Sequence, residues 1–121
     1  MKVAVAALAS GLVVAYSCDT APCDSVARLA QGADLLIHEA TGAVPGGHSS
    51  AAQAGEIATR AGAKRLCLIH YQVWGGVDPG ALIPEAQSTF AGPVGLVQDF
   101  MEFDLSVSPL PAEGPIGRLL F

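Results

Sequence analysis

"LVVAYSCDTAPCDSVARLAQGADLLIHEA", residues 12–40, decides the fold. It opens on a continuous apolar, β-branched run, LVVAYS (12–17), as a strand covered on both faces would. A helix is expected next. Thr20 can cap it, Pro22 suits its first turn, and Val26, Leu29 and Ala30 follow helical spacing until Gly32 stops it. DLLIH (34–38) then reads as a second buried strand. Downstream, Ser50 and Gln53 have the spacing of a capping box, an Ala-rich helix runs to Gly62, and RLCLIH (65–70) is a third strand. This β-α-β-α-β alternation predicts an α/β domain built on a parallel sheet. Past Gln72 the pattern gives a helix from Asp78-Pro79 towards Ala91, interrupted or delayed by Pro84. GPVGLVQ (92–98) and MEFDL (101–105) then read as an antiparallel strand pair at a sheet edge. The Pro- and Gly-rich tail, 109–121, is expected to run over the surface.

At 121 residues the chain is expected to form one domain, 1–121, with a modest core. Half of it is apolar (51%), which excludes a disordered chain. Six Lys and Arg against eleven Asp and Glu give a formal net charge of -5. A nucleic-acid binder carries a basic footprint, so nucleic acid is not the expected partner of this chain alone. Its three cysteines form no CxxC pair, which argues against a disulfide framework and fits a reducing, cytoplasmic setting. MKVAVAALAS (1–10) resembles a secretory leader only in outline. A cut after "ALA" leaves too short an apolar region, and the run resumes at Leu12 as core. No stretch of about 20 apolar residues exists to span a bilayer, so no membrane partner is expected.

The three central strands finish in residues that bind metals or move protons. The first ends at Ser17-Cys18-Asp19-Thr20, the second at His38-Glu39 and the third at His70. In a parallel sheet these carboxyl ends share one edge, where open α/β folds bind ligands. Carboxylate with imidazole suits zinc, manganese or iron. Asp19 can bridge two ions and His70 can donate one nitrogen. His48, just before the capped helix, can meet an anion or protonate a leaving group, with Glu39 orienting it. Taken singly, each residue has a plainer reading: Asp19 as a turn or cap, His70 and His38 as structural histidines, His48 as an exposed loop residue. Cys18 lacks the setting of a nucleophile elbow, and Cys67, mid-strand, belongs to the core.

VAYSCDTAPCDSVARLAQGADLLIHEAT (14–41), GHSSAAQAGEIATRAGAKRLCLIHY (47–71) and EAQSTFAGPV (85–94), taken together, resemble the carboxyl-terminal half of metallo-β-lactamase-fold hydrolases. The resemblance is to the ribonuclease Z and arylsulfatase-like branch and covers roughly residues 12–105. It implies half of an αββα sandwich. It also implies Asp19 as the carboxylate bridging two zinc ions, His70 as the last histidine ligand, and Glu39 with His48 as the pair for proton transfer and substrate contact. The expected substrate is a small phosphate or sulfate ester, hydrolysed because the metals' charge makes hydroxide available near neutral pH.

The departures from the family pattern are specific. The His-x-His-x-Asp-His motif, which supplies most ligands, is absent, so a missing amino-terminal half or a symmetry mate is the expected partner. Cys18 replaces the glycine beside the bridging Asp, and Phe100 stands where a glycine would ease the last turn. The short Glu39–His48 loop favours the arylsulfatase-like branch over tRNA 3′-processing. Three readings follow: a truncated hydrolase half completed by other polypeptide, a reduced one-metal site of Asp19, His70 and His48, or a non-catalytic oligomeric module. A half sandwich leaves one sheet face bare, so association of the chain is expected.

Overall fold

The apolar runs lie side by side in one sheet. The computed structural model describes residues 5–9, 11–43 and 46–105. Along these the chain forms β1 (Val5–Ala9), β2 (Leu12–Tyr16), α1 (Asp24–Leu29), β3 (Leu35–Glu39), α2 (Ala51–Ala61) and β4 (Leu66–Ile69). A 3-10 turn at Pro79–Ala81, α3 (Leu82–Gln87) and β5 (Val94–Leu96) follow. The sheet order is β1-β2-β3-β4-β5, with β1 antiparallel to β2 and every later pair parallel. Register sets the ends level: Tyr16 pairs with Ile37 and Glu39 with Ile69. The residues that follow β2, β3 and β4 therefore emerge along one edge.

Alternation along the strands divides the apolar side chains between two faces. Leu36, Leu66 and Leu68 join Ala27, Ala30, Ala54, Ile57, Ala58, Ala86 and Phe90 beneath the helices. Leu35 and Cys67 point to the other face, where Val14, Ile37, Val97, Phe103 and Leu105 pack on them. That face is thus partly covered by the chain's own segment after β5, and not bare as half a sandwich would leave it. Burial pushes the Cys67 thiol up to about 12, as expected of a core cysteine.

The capping box at α2 is present in full: Gln53 N–H donates to Ser50 Oγ at 3.1 Å, and Ser50 N–H to Gln53 Oε1 at 2.9 Å. Gly62 closes the helix in the left-handed conformation, φ 65°. Other boundaries differ from the sequence reading. Helix α1 begins at Asp24, with Cys23 at its cap position and no side-chain cap. Thr20 instead turns its hydroxyl to Ala21 O at 2.7 Å. The expected helix from Asp78 divides into a 3-10 turn and α3, and Pro84 falls in the first turn of α3, where no N–H is needed. The expected terminal strand pair is a single strand. Val94–Leu96 adds parallel to β4, while 101–105 form no strand. The antiparallel edge lies at the other border, where β1 makes a hairpin with β2. The 109–121 tail lies outside the described residues.

Two packing details generate predictions. Gly55 in α2 is buried against α3, and a Cβ there would stand 2.5 Å from Ala86 O and clash with the Thr89 hydroxyl. That hydroxyl already donates to Ala52 O at 2.6 Å, so the two helices cannot simply part. Gly55→Ala improves helix propensity by up to about 1 kcal/mol, but overpacking costs about 1–3 kcal/mol. A net loss of stability is expected in chemical denaturation, and a gain would show that α2 and α3 are looser than described.

His38 is fully buried. Its Nδ1–H donates to Glu39 O at 2.8 Å, while Nε2 has no partner among the described residues. Burial lowers its pKa below the ordinary histidine value, against the opposing pull of the Glu39 carbonyl and charge. Between that lowered value and about 6.5, the unfolded chain binds a proton that the folded chain refuses. This contribution to stability is complete above about 6.5 and is lost as the pH falls through the folded pKa. Denaturation midpoints followed from pH 8 to 5 should fall less steeply for His38→Gln than for the native chain. Equal slopes would exclude a buried neutral His38.

Candidate metal centre

The carboxyl edge gathers the residues singled out in the sequence. After β2 the chain turns at Cys18, left-handed at φ 52°, and presents Asp19. After β4 it turns at His70, φ 57°. These two kinks bring His70 Nδ1 to 2.9 Å from Asp19 Oδ1, with both side chains about half exposed (53% and 56%). His48 joins them from the loop before α2, its ring centroid 5.8 Å from that of His70. One ligand atom from each of Asp19, His48 and His70 lies within 4.8 Å of the others. One carboxylate and two imidazoles so gathered fit a divalent transition metal.

Beside this trio lies a buried carboxylate. Glu39 is 0% exposed and accepts from three directions. Its Oε1 takes Thr20 N–H at 2.9 Å and His48 Nδ1–H at 2.9 Å, and its Oε2 takes Thr41 N–H at 3.0 Å. Burial alone would raise the Glu39 carboxyl, but the hydrogen bonds from Thr41, Thr20 and Ser49 outweigh it and hold the pKa below the ordinary glutamate value. An ionised carboxylate only accepts, so His48 must carry its proton on Nδ1 and leave Nε2 open. The expected pairing of Glu39 with His48 is thereby present in the fold. His38, next along β3, points into the core and takes no part.

Small hydroxyl residues do work that the sequence reading did not assign. Ser17 Oγ accepts Glu39 N–H at 3.0 Å and donates to Cys18 O at 2.8 Å, tying the end of β3 to the turn before Asp19. Buried Ser49 donates to Thr20 O at 2.6 Å and fixes the chain next to His48. Thr41 Oγ1 donates to His70 O at 2.9 Å. Their signal in the sequence is position alone, one or two residues from a candidate. Tyr16 ends β2 at the same edge. Its hydroxyl pKa is raised by burial and then by the charges of Cys18, Asp19 and Glu39. Trp74 stands on the loop after His70, 69% exposed.

Comparisons with known proteins follow the same outline. A ribonuclease Z from Natronomonas pharaonis is 38% identical over 110 residues, which are 85% of this chain and 35% of the relative. One from Methanothermobacter thermautotrophicus is 52% identical over 67 residues, 50% of this chain and 22% of the relative. The chain therefore spans only between 22% and 35% of the length of these two curated relatives. Among solved structures, the metallo-beta-lactamase fold protein YhfI from Bacillus subtilis aligns with a TM-score of 0.72 at 32% identity. That alignment covers 78% of this chain and 41% of YhfI. The short form of human tRNase Z aligns with a TM-score of 0.57 at 27% identity, over 81% of this chain and 36% of that one. The sequence model of the beta-lactamase superfamily domain matches residues 3–71, a span that holds Asp19, Glu39, His48 and His70. With that match over more than half its length, and with the fold it shares with YhfI, the chain belongs to the beta-lactamase superfamily and has the metallo-β-lactamase fold.

Proposed function

We propose that this chain carries part of the active centre of a metal-dependent hydrolase that cleaves RNA phosphodiesters, as a ribonuclease Z does. The observation that carries the proposal is the convergence of Asp19, His48 and His70 within 4.8 Å, beside the buried Glu39–His48 pair. Asp19 and His70 would hold zinc, and manganese or iron suit the same donors. A bound divalent ion lowers the pKa of water and neutralises developing charge on phosphate. The chain's own residues handle the proton. Glu39 fixes the His48 proton on Nδ1, so Nε2 would first take a proton, from the attacking water, and as imidazolium could then pass it to the leaving oxygen or donate to a phosphate oxygen. RNA is favoured over a small phosphate or sulfate ester by the relatives, named ribonucleases at 38% and 52% identity. Their weight exceeds that of the short Glu39–His48 loop.

Two features favour other polypeptide as the source of the remaining machinery. Three donors are fewer than two zinc ions require. The described cations also lie away from the carboxyl edge: Arg28 and Arg60 in the last turns of α1 and α2, Lys64 and Arg65 just before β4. Arg60 pairs with Asp24, and Lys64 with Asp34 at 2.8 Å. Phosphate-binding charge and further ligands would come from an amino-terminal half or from a second copy. A second reading, a reduced site with one ion on Asp19, His70 and His48, is favoured by the inclusion of His48 in the trio.

Zinc titration separates these readings. One equivalent bound by the chain alone supports the reduced site. Two equivalents only after addition of a polypeptide bearing His-x-His-x-Asp-His support a shared centre. Asp19→Ala and His70→Ala should each weaken zinc at least tenfold, and a native chain that binds no zinc in either setting refutes both readings. In the assembled enzyme, Glu39→Gln should slow phosphodiester cleavage by on the order of 10²–10⁴ while leaving zinc content unchanged. Loss of zinc with loss of rate would instead make Glu39 a support of the metal.

A further inference from the structure

We infer that Thr41 is the positioning residue that sets which nitrogen of His70 faces the metal, an inference that rests on the metal-centre reading above. Thr41 Oγ1 lies 2.9 Å from His70 O and 3.2 Å from His70 Nδ1. A hydroxyl has one proton, and a carbonyl oxygen can only accept, so that proton goes to His70 O. Towards Nδ1 the hydroxyl can then only accept. Asp19 Oδ1, 2.9 Å from the same nitrogen, can also only accept when ionised. Both neighbours require Nδ1–H, and Nε2 is left with the free lone pair.

The two neighbours are not equivalent. Asp19 is itself a candidate ligand, and a carboxylate oxygen that turns to an ion is withdrawn from Nδ1. Thr41 has no such second duty. It keeps an acceptor on Nδ1–H when Asp19 is engaged, the kind of outer contact that fixes ring orientation and tautomer in metal sites. Its bond to His70 O also braces a non-glycine residue held at φ 57°, a left-handed conformation unfavourable for L-residues. Through its backbone N–H, which donates to Glu39 Oε2 at 3.0 Å, Thr41 joins the metal half of the centre to the proton-transfer half. The hydroxyl serves His70 and also helps hold the Glu39 carboxyl low, while the N–H serves Glu39 alone.

Thr41→Val keeps the shape and the N–H to Glu39 but removes the hydroxyl, whereas Thr41→Ser restores it. The full chain without metal and carrying Asp19→Ala, which leaves Thr41 as the acceptor on Nδ1, is labelled with ¹⁵N in histidine and reports the His70 tautomer by its ring nitrogen shifts at pH 8. In that background Thr41 and T41S should show Nδ1–H, and T41V a shift towards Nε2–H. With Asp19 in place, T41V should also bind zinc about 10–100-fold more weakly, with T41S close to native. A His70 tautomer that is the same with T41V as with Thr41 in that background overturns the role of Thr41, whatever zinc does. A native chain that binds no zinc, alone or with the added polypeptide, overturns the metal reading instead, and the tautomer still decides the Thr41 assignment. Circular dichroism of T41V and T41S separates a local change from loss of fold.

Discussion

Burial of the Glu39 carboxylate is the constraint around which the functional edge is organised. A carboxylate taken out of water is tolerated only when its lone pairs are filled. Here they are filled by the Thr20 N–H after β2, the Thr41 N–H after β3 and the His48 ring before α2. Three segments distant in sequence are thereby held to one charge. Each also carries or adjoins a candidate: Asp19 precedes Thr20, His48 is itself a partner, and Thr41 reaches His70. Removing one donor would leave charge short of partners in a dry place, so the segments are fixed together or not at all.

Much of this was legible in the sequence because it depends on local pattern. The apolar runs at 12–17, 34–38 and 65–70 each became a parallel strand, and their polar ends met at one edge as the alternation of strand and helix required. The Ser50–Gln53 box was readable because its two bonds lie within one turn. What resisted reading was pairing between distant segments. VGL (94–96) is apolar enough for a strand, yet nothing local says whether it runs with β4 or against a following strand. MEFDL has the composition of a strand, but it spends Phe103 and Leu105 in covering Leu35 and Cys67. The hairpin of β1 with β2 hid in a run that also resembles a leader, because both uses need the same apolar residues. The hydroxyls of Ser17, Thr41 and Ser49 escaped notice for a different reason. Their roles come from the direction of one hydrogen bond, which spacing does not encode.

The sites where the chain breaks its local rules lie beside the functional ones. Among the described residues three non-glycines take left-handed backbone: Cys18, His70 and Phe100. The glycine of the family motif would relax the first, and a glycine would suit the turn at Phe100, which is fully exposed. No described contact compensates Phe100. Cys18 and His70 differ, because each sits at the last point of a strand where an extended chain must turn sharply over the sheet edge. Continued extension would carry Asp19 and the His70 ring past one another. The left-handed turn at each brings the two side chains to 2.9 Å.

The energy of holding those turns is met by bonds that close on the turns themselves. Ser17 Oγ donates to Cys18 O, and Thr41 Oγ1 donates to His70 O. The two braces are alike in kind: a small hydroxyl near the end of one strand grips the carbonyl of a strained residue. Strain of order 1–3 kcal/mol persists only where the surroundings over-determine it. Here both braces lead back to the same residue, since Ser17 accepts the backbone N–H of Glu39 and Thr41 N–H binds Glu39 Oε2. The geometry of the candidate ligands is therefore a consequence of how the edge satisfies Glu39. A substitution at that residue keeps the N–H that Ser17 accepts and acts through the carboxylate on the Thr20 N–H, the Thr41 N–H and His48.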